Sequence, residues 1–252
     1  MLSRVLAPVL ALTVLSGCRS SAPMPAPVPP QPPPAPVAAT KPAATDPDSI
    51  RWVRDAAEYR ALVLQTYRLA TIHVETATKG RAAGTWAVVL DADETIISNV
   101  TYQQERARQG LPYSAGSWTA WVTRREATPV PGAAAFLTRV RALGGRLAVV
   151  TNRLQSECDD TAAVFARHQL IYDAMLCRPD GTPSDKNPRF KAVAAGQTPA
   201  GTSPLEVVAF VGDNILDFPG LGQAVREQGE AGLAAFGVRF FVLPNPMYGS
   251  WQ

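Results

Sequence analysis

The sequence predicts an α/β fold, a Rossmann-like three-layer core around a parallel sheet with a small, mainly helical cap. Three observations carry this. Short, continuously apolar runs such as Trp86–Leu90 and Leu205–Val211 read as strands buried on both faces. Helix-patterned stretches alternate with them, as β-α-β units require. Two of the runs lead straight into acidic residues, at the carboxyl ends of strands where open α/β sheets hold their ligands.

Taken in order, the chain opens with Arg4, an apolar stretch Val5–Leu15 and then Leu15-Ser16-Gly17-Cys18. This is the layout of a secretory signal peptide over residues 1–17, too short for a stop-transfer helix. The tetrad resembles a bacterial lipobox, which implies cleavage before Cys18 and lipid on its sulfur. Residues 18–48 then form a linker: between Pro23 and Pro47 lie 11 of the 23 prolines. Such a segment favours extended polyproline II and would reach about 80 Å at full stretch. It reads as a spacer between a membrane and a folded domain over residues 49–252.

Asp48 and Ser49 can cap a helix running towards Thr78, with Trp52, Val53, Ala56, Tyr59, Leu62, Val63 and Tyr67 at helical spacing. After Gly80 and Gly84 comes the strand Trp86–Leu90. Pro131-Gly132 opens a helix to Leu143, Arg146–Val150 is a strand, and Gln155–His168 a helix. Strands are expected at Tyr172–Leu176, Leu205–Val211 and Val238–Leu243, with a helix after Pro219. The stretch from Ile96 to Pro129 breaks the alternation and is rich in Tyr, Trp, Gln and Arg. It and the N-terminal helix are assigned to the cap, about residues 49–80 and 96–130.

With 252 residues, 46% hydrophobic and 18% charged, the chain can bury a sizeable core without staples. Its net charge of +3 is spread out with no Lys/Arg block, which argues against a nucleic acid polymer as partner. The two histidines, His73 and His168, form no HExxH pattern, leaving zinc chemistry without support. Cys158 and Cys177 could pair in an oxidising space or remain free thiols, and the count alone does not decide.

Chemistry concentrates at strand ends. Asp91-Ala92-Asp93-Glu94-Thr95 comes directly after the first buried strand, so Asp91 and Asp93 can aim into one pocket. Thr151 and Asn152 end the second strand with groups suited to phosphate oxygens, Lys186 sits in a loop, and Gly212-Asp213-Asn214-Ile215-Leu216-Asp217 ends another strand. An isolated acidic turn is commonplace; the ordered set at consecutive strand ends is not.

With these motifs the chain resembles the haloacid dehalogenase-like superfamily and, within it, class C acid phosphatases of the lipoprotein e type. The resemblance covers about residues 50–252. It includes Ala57–Leu62, Asp91–Thr95, Trp118-Thr119-Ala120-Trp121, Val130-Pro131-Gly132, Val150–Arg153, Lys186-Asn187-Pro188-Arg189-Phe190, Gly212–Asp217 and the closing Leu243–Trp251. Ala92 replaces the family's usual Leu, and the stretch between Phe190 and Leu205 is longer. The resemblance implies a phosphomonoesterase with Asp91 as nucleophile and Asp93 as general acid and base. It implies Mg2+ held by Asp91, Asp213 and the main-chain carbonyl of Asp93, with Thr151, Asn152 and Lys186 holding the phosphate. Asp217 would orient Lys186 or a metal-bound water, Asn214 would stand behind them, and Trp118 and Tyr248 would pack around a flat leaving group. Substrates would then be small phosphate monoesters, nucleoside monophosphates (a 5'-nucleotidase activity) and aryl phosphates.

A dehalogenase would need neither Asp93 nor Asp213, and no GxxxxGK[ST] is present for P-loop transfer. The rival from another class is a nucleotide- or cofactor-binding surface lipoprotein with incidental hydrolysis. Location is expected in the bacterial cell envelope, anchored by the N-terminal lipid. Arg19 stands where a retention aspartate would be, which favours the outer membrane of a double-membrane host. A homodimer is compatible with all of this.

Overall fold

The computed structural model describes residues 46–252. The signal peptide, Cys18 and most of the Pro-rich linker lie outside the described residues. Five parallel strands form the central sheet: β1 (Trp86–Leu90), β4 (Arg146–Leu154), β5 (Ala174–Arg178), β6 (Glu206–Gly212) and β7 (Phe240–Val242), in the order β5-β4-β1-β6-β7. The most apolar strand takes the centre. All five residues of β1 are buried, and it pairs with β4 on one side and β6 on the other.

Alternation of side chains across the sheet divides the core in two. Trp86, Val88 and Leu90 share one cluster with Val63, Tyr67, Ala70 and Val74 of α2 (Ala57–Ala77) and Phe136, Leu137 and Val140 of α5 (Ala133–Ala142). Ala87 and Val89 face the other way, towards Phe190 and Val193 of α7 (Asn187–Ala194) and towards Phe210 and Phe218. Helix, sheet and helix make the three layers expected. Among the described residues no helix is long and apolar enough to cross a membrane.

The cap is built from α1 (Asp48–Asp55), α3 (Val100–Gln109), α4 (Ala115–Arg124) and a two-stranded antiparallel pair, β2 (Ile97–Ser98) with β3 (Thr128–Pro129). The single helix expected from Asp48 to Thr78 is instead two helices. It breaks at Ala56, whose backbone is extended at φ −76° and ψ 131°. Only α1 packs against α3, whereas α2 lies on the sheet beside α5, β6 and β7. Of the stretch 49–80 assigned to the cap, most therefore belongs to the core, because the apolar face of α2 has the sheet to cover.

Two other differences matter for the site. Strand β4 continues four residues beyond Val150 to Leu154, and its register with β5 shifts between Val150 and Leu154. This irregularity lies where Thr151, Asn152 and Arg153 occur, and such bulges re-aim side chains next to active sites. In place of an α-helix directly after Pro219, the chain makes 3-10 turns over Gln223–Gln228 and a short helix, α8 (Gly229–Gly232).

Cys158 at the start of α6 (Cys158–Arg167) and Cys177 of β5 form a disulfide, with Cα atoms 6.1 Å apart and a sequence separation of 19. Loop closure of this length contributes about 3 kcal/mol in the chain-entropy view. The double variant Cys158→Ala, Cys177→Ala should therefore melt roughly 6–12 °C lower. A calorimetric Tm matching the parent would show that the bond adds no stability.

Candidate active site

The strand ends open into a cavity of about 740 Å³ between sheet and cap. Asp91 stands at its floor, directly after β1, and its backbone N–H donates to the Val211 carbonyl of β6 at 3.0 Å. That bond fixes the Asp91 loop to the strand that carries Asp213. The Lys186 ammonium, at the N-terminus of α7, donates to Asp91 Oδ1 at 2.5 Å and to Asp217 Oδ1 at 2.6 Å. All three side chains are buried. Asp217 is fixed in turn by the Asn214 N–H at 2.9 Å. It also fills the space over Gly212, where an added Cβ would come within 2.3 Å of its own Cβ.

Carboxylate oxygens of Asp91, Asp213 and Asp217 lie within 4.8 Å of one another. Asp213 accepts from Asn245 Nδ2 at 2.8 Å and from the Thr95 hydroxyl at 3.4 Å. Burial first, then the charges of Asp217 and Asp93, push the Asp91 carboxyl up to about 7 against the pull of Lys186. Burial with Asp217, Asp91 and Glu94 raises Asp213 well above its ordinary range. Lys186 behaves inversely: burial opposes its charge, yet Asp217 and Asp91 outweigh burial and hold it above the usual range. One ammonium for three close carboxylates leaves negative charge in excess. The donors are oxygen only, and both histidines are engaged elsewhere, on the Val208 and Ala127 carbonyls. This set fits a hard divalent cation.

Asp93 is turned away from that cluster. Its carboxylate receives Arg153 Nε at 3.0 Å, Arg153 Nη2 at 2.8 Å and Asn99 Nδ2 at 2.8 Å. Arg153 is buried and lies over the Trp118 ring, 5.4 Å from its centroid. Between Asp93 and Asn99, Glu94 adopts a left-handed backbone at φ 50°, held by its N–H to the Ile97 carbonyl at 2.7 Å. Its carboxyl accepts from the Asn99 N–H at 2.6 Å, and burial, reinforced by Asp93, pushes it up to about 8. A non-glycine residue in this conformation costs of order 1–3 kcal/mol and persists where surrounding contacts fix it.

Asp91, Asp93, Lys186, Asp213 and Asp217, all predicted from the sequence, meet at one cavity, and Asn152, Asn214, Trp118 and Tyr248 line it. Thr151 is fully buried behind the wall, its hydroxyl accepting from the Arg153 N–H at 3.1 Å. The Asn152 amide oxygen accepts from Arg189 Nη2 at 2.5 Å. Asn214 accepts from Ser250 at 2.7 Å. Among carboxylate side chains Asp217, and not Asp93, completes the cluster with Asp91 and Asp213, leaving Asp93 only its main chain to offer a metal. Sequence reasoning missed Arg153, Asn99 and Asn245 as partners of the acids. Arg153 closes the Val150–Arg153 motif, and a buried arginine needs an acid, which is the signal that could have found it.

Metal removal has a signed consequence. A carboxyl whose folded value is raised binds more protons folded than unfolded, so stability falls as pH rises through that window. For Asp91 the window runs from 3.8 to about 7, and for Glu94 from 4.5 to about 8. In EDTA the Tm should therefore fall between about pH 5 and pH 8, and a divalent cation should flatten the decline. An EDTA-treated Tm that climbs over this interval would contradict the electrostatic reading.

Comparison with known proteins decides the family. The model for HAD superfamily, subfamily IIIB (acid phosphatase) matches residues 35–251. The chain belongs to this acid phosphatase family. The class C acid phosphatase from Bacillus anthracis is similar at 30% identity over 81% of this chain and 84% of that one, with a TM-score of 0.69. The same enzyme with tungstate bound gives a TM-score of 0.70 at the same identity. This family member is a phosphomonoesterase with a HAD-type α/β fold, and its aspartate cluster can bind the divalent metal that HAD phosphatases use.

Proposed function

We propose that this acid phosphatase hydrolyses nucleoside monophosphates and aryl phosphates through an aspartyl-phosphate on Asp91, with Mg2+ as its metal. The observation that carries the proposal is the joint burial of Asp91 against Lys186, with Asp213 and Asp217 beside it at the cavity floor. A phosphoryl group brings about two negative charges, and only added positive charge lets a carboxylate approach it. Mg2+, when held by Asp91, Asp213 and the Asp93 main-chain carbonyl, supplies charge neutralisation.

The side chains then have distinct tasks. An Asp91 oxygen attacks phosphorus, and the bond from phosphorus to the ester oxygen breaks. Asp93, oriented by Arg153 and Asn99, gives its proton to the departing oxygen and later takes one from the water that cleaves the acyl phosphate. Lys186 stabilises the phosphoryl oxygens, and Asp217 keeps Lys186 aimed. The Thr151 hydroxyl, buried behind the wall and engaged by the Arg153 N–H, acts only by shaping the strand end. The departing oxygen needs a proton, so a mildly acidic optimum is expected. Trp118 and Tyr248 offer aromatic faces to a flat leaving group.

A panel of mononucleotides, sugar phosphates and aryl phosphates, with Mg2+ and with EDTA, tests this. Nucleotides and p-nitrophenyl phosphate should lead the panel, and activity should vanish in EDTA. Equal turnover of sugar phosphates would overturn the substrate class, and EDTA-resistant turnover would overturn the metal. The lipobox-like tetrad supports anchoring in the cell envelope through Cys18, at the outer membrane where the host has two. Cys18→Ala should release the enzyme from the membrane fraction.

A further inference from the structure

The cavity holds three cationic side chains, and two of them are already matched. Lys186 is engaged by Asp91 and Asp217, and Arg153 by Asp93. The third, Arg178, makes no ion pair and no hydrogen bond among the described residues, and its Nε is buried without a partner. A buried N–H left unsatisfied costs about 1–3 kcal/mol, so the position is explained by something that fills it. Asp180, two residues on, is turned to the Ser156 N–H at 3.3 Å and does not neutralise it.

The arginine is also held in place. It is the last residue of β5, paired with Leu154 of β4, and comes directly after Cys177, whose disulfide ties the strand to α6. Strand β5 lies two places from β1 in the sheet. At about 4.8 Å per strand, that sets Arg178 roughly 10 Å across the strand ends from the nucleophile. The same cavity is also lined by Trp118, with Tyr113 at a centroid separation of 6.4 Å. Burial raises the Tyr113 hydroxyl, and Arg178 is close enough to pull it back.

We infer that Arg178 binds a second phosphate on the leaving group, so that the enzyme selects bisphosphorylated substrates, a nucleoside 3',5'-bisphosphate being the fitting class. One phosphate occupies the Asp91–Lys186 floor, the flat or sugar portion crosses the aromatic wall, and the guanidinium takes the far phosphate in its planar fork. Guanidinium matches phosphate oxygens with paired N–H donors, whereas an ammonium gives a point charge. The inference rests on the phosphatase reading of the same cavity.

The test compares initial phosphate release from adenosine 3',5'-bisphosphate and adenosine 5'-monophosphate, with p-nitrophenyl phosphate as the substrate lacking a second anion. The parent enzyme should favour the bisphosphate in kcat/KM. Arg178→Gln should reduce that preference by about tenfold to a hundredfold, the worth of a charge-assisted hydrogen bond, and Arg178→Lys should keep part of it. Arg139→Gln, a charge removed from the outer surface, should leave the preference intact. An unchanged preference in Arg178→Gln, or an equal loss for both nucleotides, would overturn the inference. Absence of p-nitrophenyl phosphate turnover by the parent would sink the phosphatase reading alone. Calorimetric binding of the two nucleotides to Asp91→Asn, with and without Arg178→Gln, would then still decide: the bisphosphate must bind tighter only where Arg178 is present.

Discussion

Asp91→Asn should lower p-nitrophenyl phosphate turnover by on the order of 10⁴-fold or more, with the fold intact. Asparagine fills the same volume and can still meet Lys186, which retains Asp217 at 2.6 Å. What disappears is the anionic oxygen that would bond to phosphorus. No neighbour can replace it: Asp213 is held by Asn245, and Asp93 by Arg153 and Asn99. The variant also removes a carboxyl that burial disfavours in its charged form, so its metal-free Tm at neutral pH should equal or exceed the parent's. Stopped assays and calorimetry on one preparation read both effects. Turnover within tenfold of the parent would refute covalent catalysis by this residue.

Lys186→Met should damage stability and rate together. The ammonium is the only side-chain cation touching the buried Asp91 and Asp217 among the described residues. Without it, carboxylates within 4.8 Å of each other have no cationic side chain in contact with Asp91 or Asp217 among the described residues. Breaking a buried pair this way costs about 3–5 kcal/mol, which is a Tm lower by roughly 6–20 °C for a domain of this size. Turnover should fall by about 10²–10³-fold, the usual cost of one donor to a developing negative charge. A divalent cation should restore part of the Tm and little of the rate, because it replaces charge but not the placement of the amine. A variant that melts with the parent would show that the carboxylates are protonated or apart in solution.

Much of this arrangement is legible in the sequence, for identifiable reasons. A five-residue apolar run such as Trp86–Leu90 has no surface face, so it can only be central, and the residues just past its end must stand at the sheet's edge. Asp91, Asp213 and Asp217 stand out as acids just past such runs, whereas Lys186, in a loop ahead of α7, stands out only as part of the ordered set. The break at Ala56 leaves no mark, since no glycine or proline signals it and the turn is set by where the sheet needs α2. Arg153 escapes a reading of the sequence for a similar reason: its role depends on Asp93, 60 residues away. The disulfide is not settled by counting cysteines, only by the proximity of α6 and β5.

The chemistry also depends on long-range pairings in the chain. Lys186 reaches Asp91 across 95 residues of sequence, and Thr95 reaches Asp213 across 118. Contacts of such separation close large loops and form slowly, after local helices are in place. Recovered phosphatase activity should accordingly lag behind helical circular dichroism during refolding, making turnover a reporter of the final assembly step.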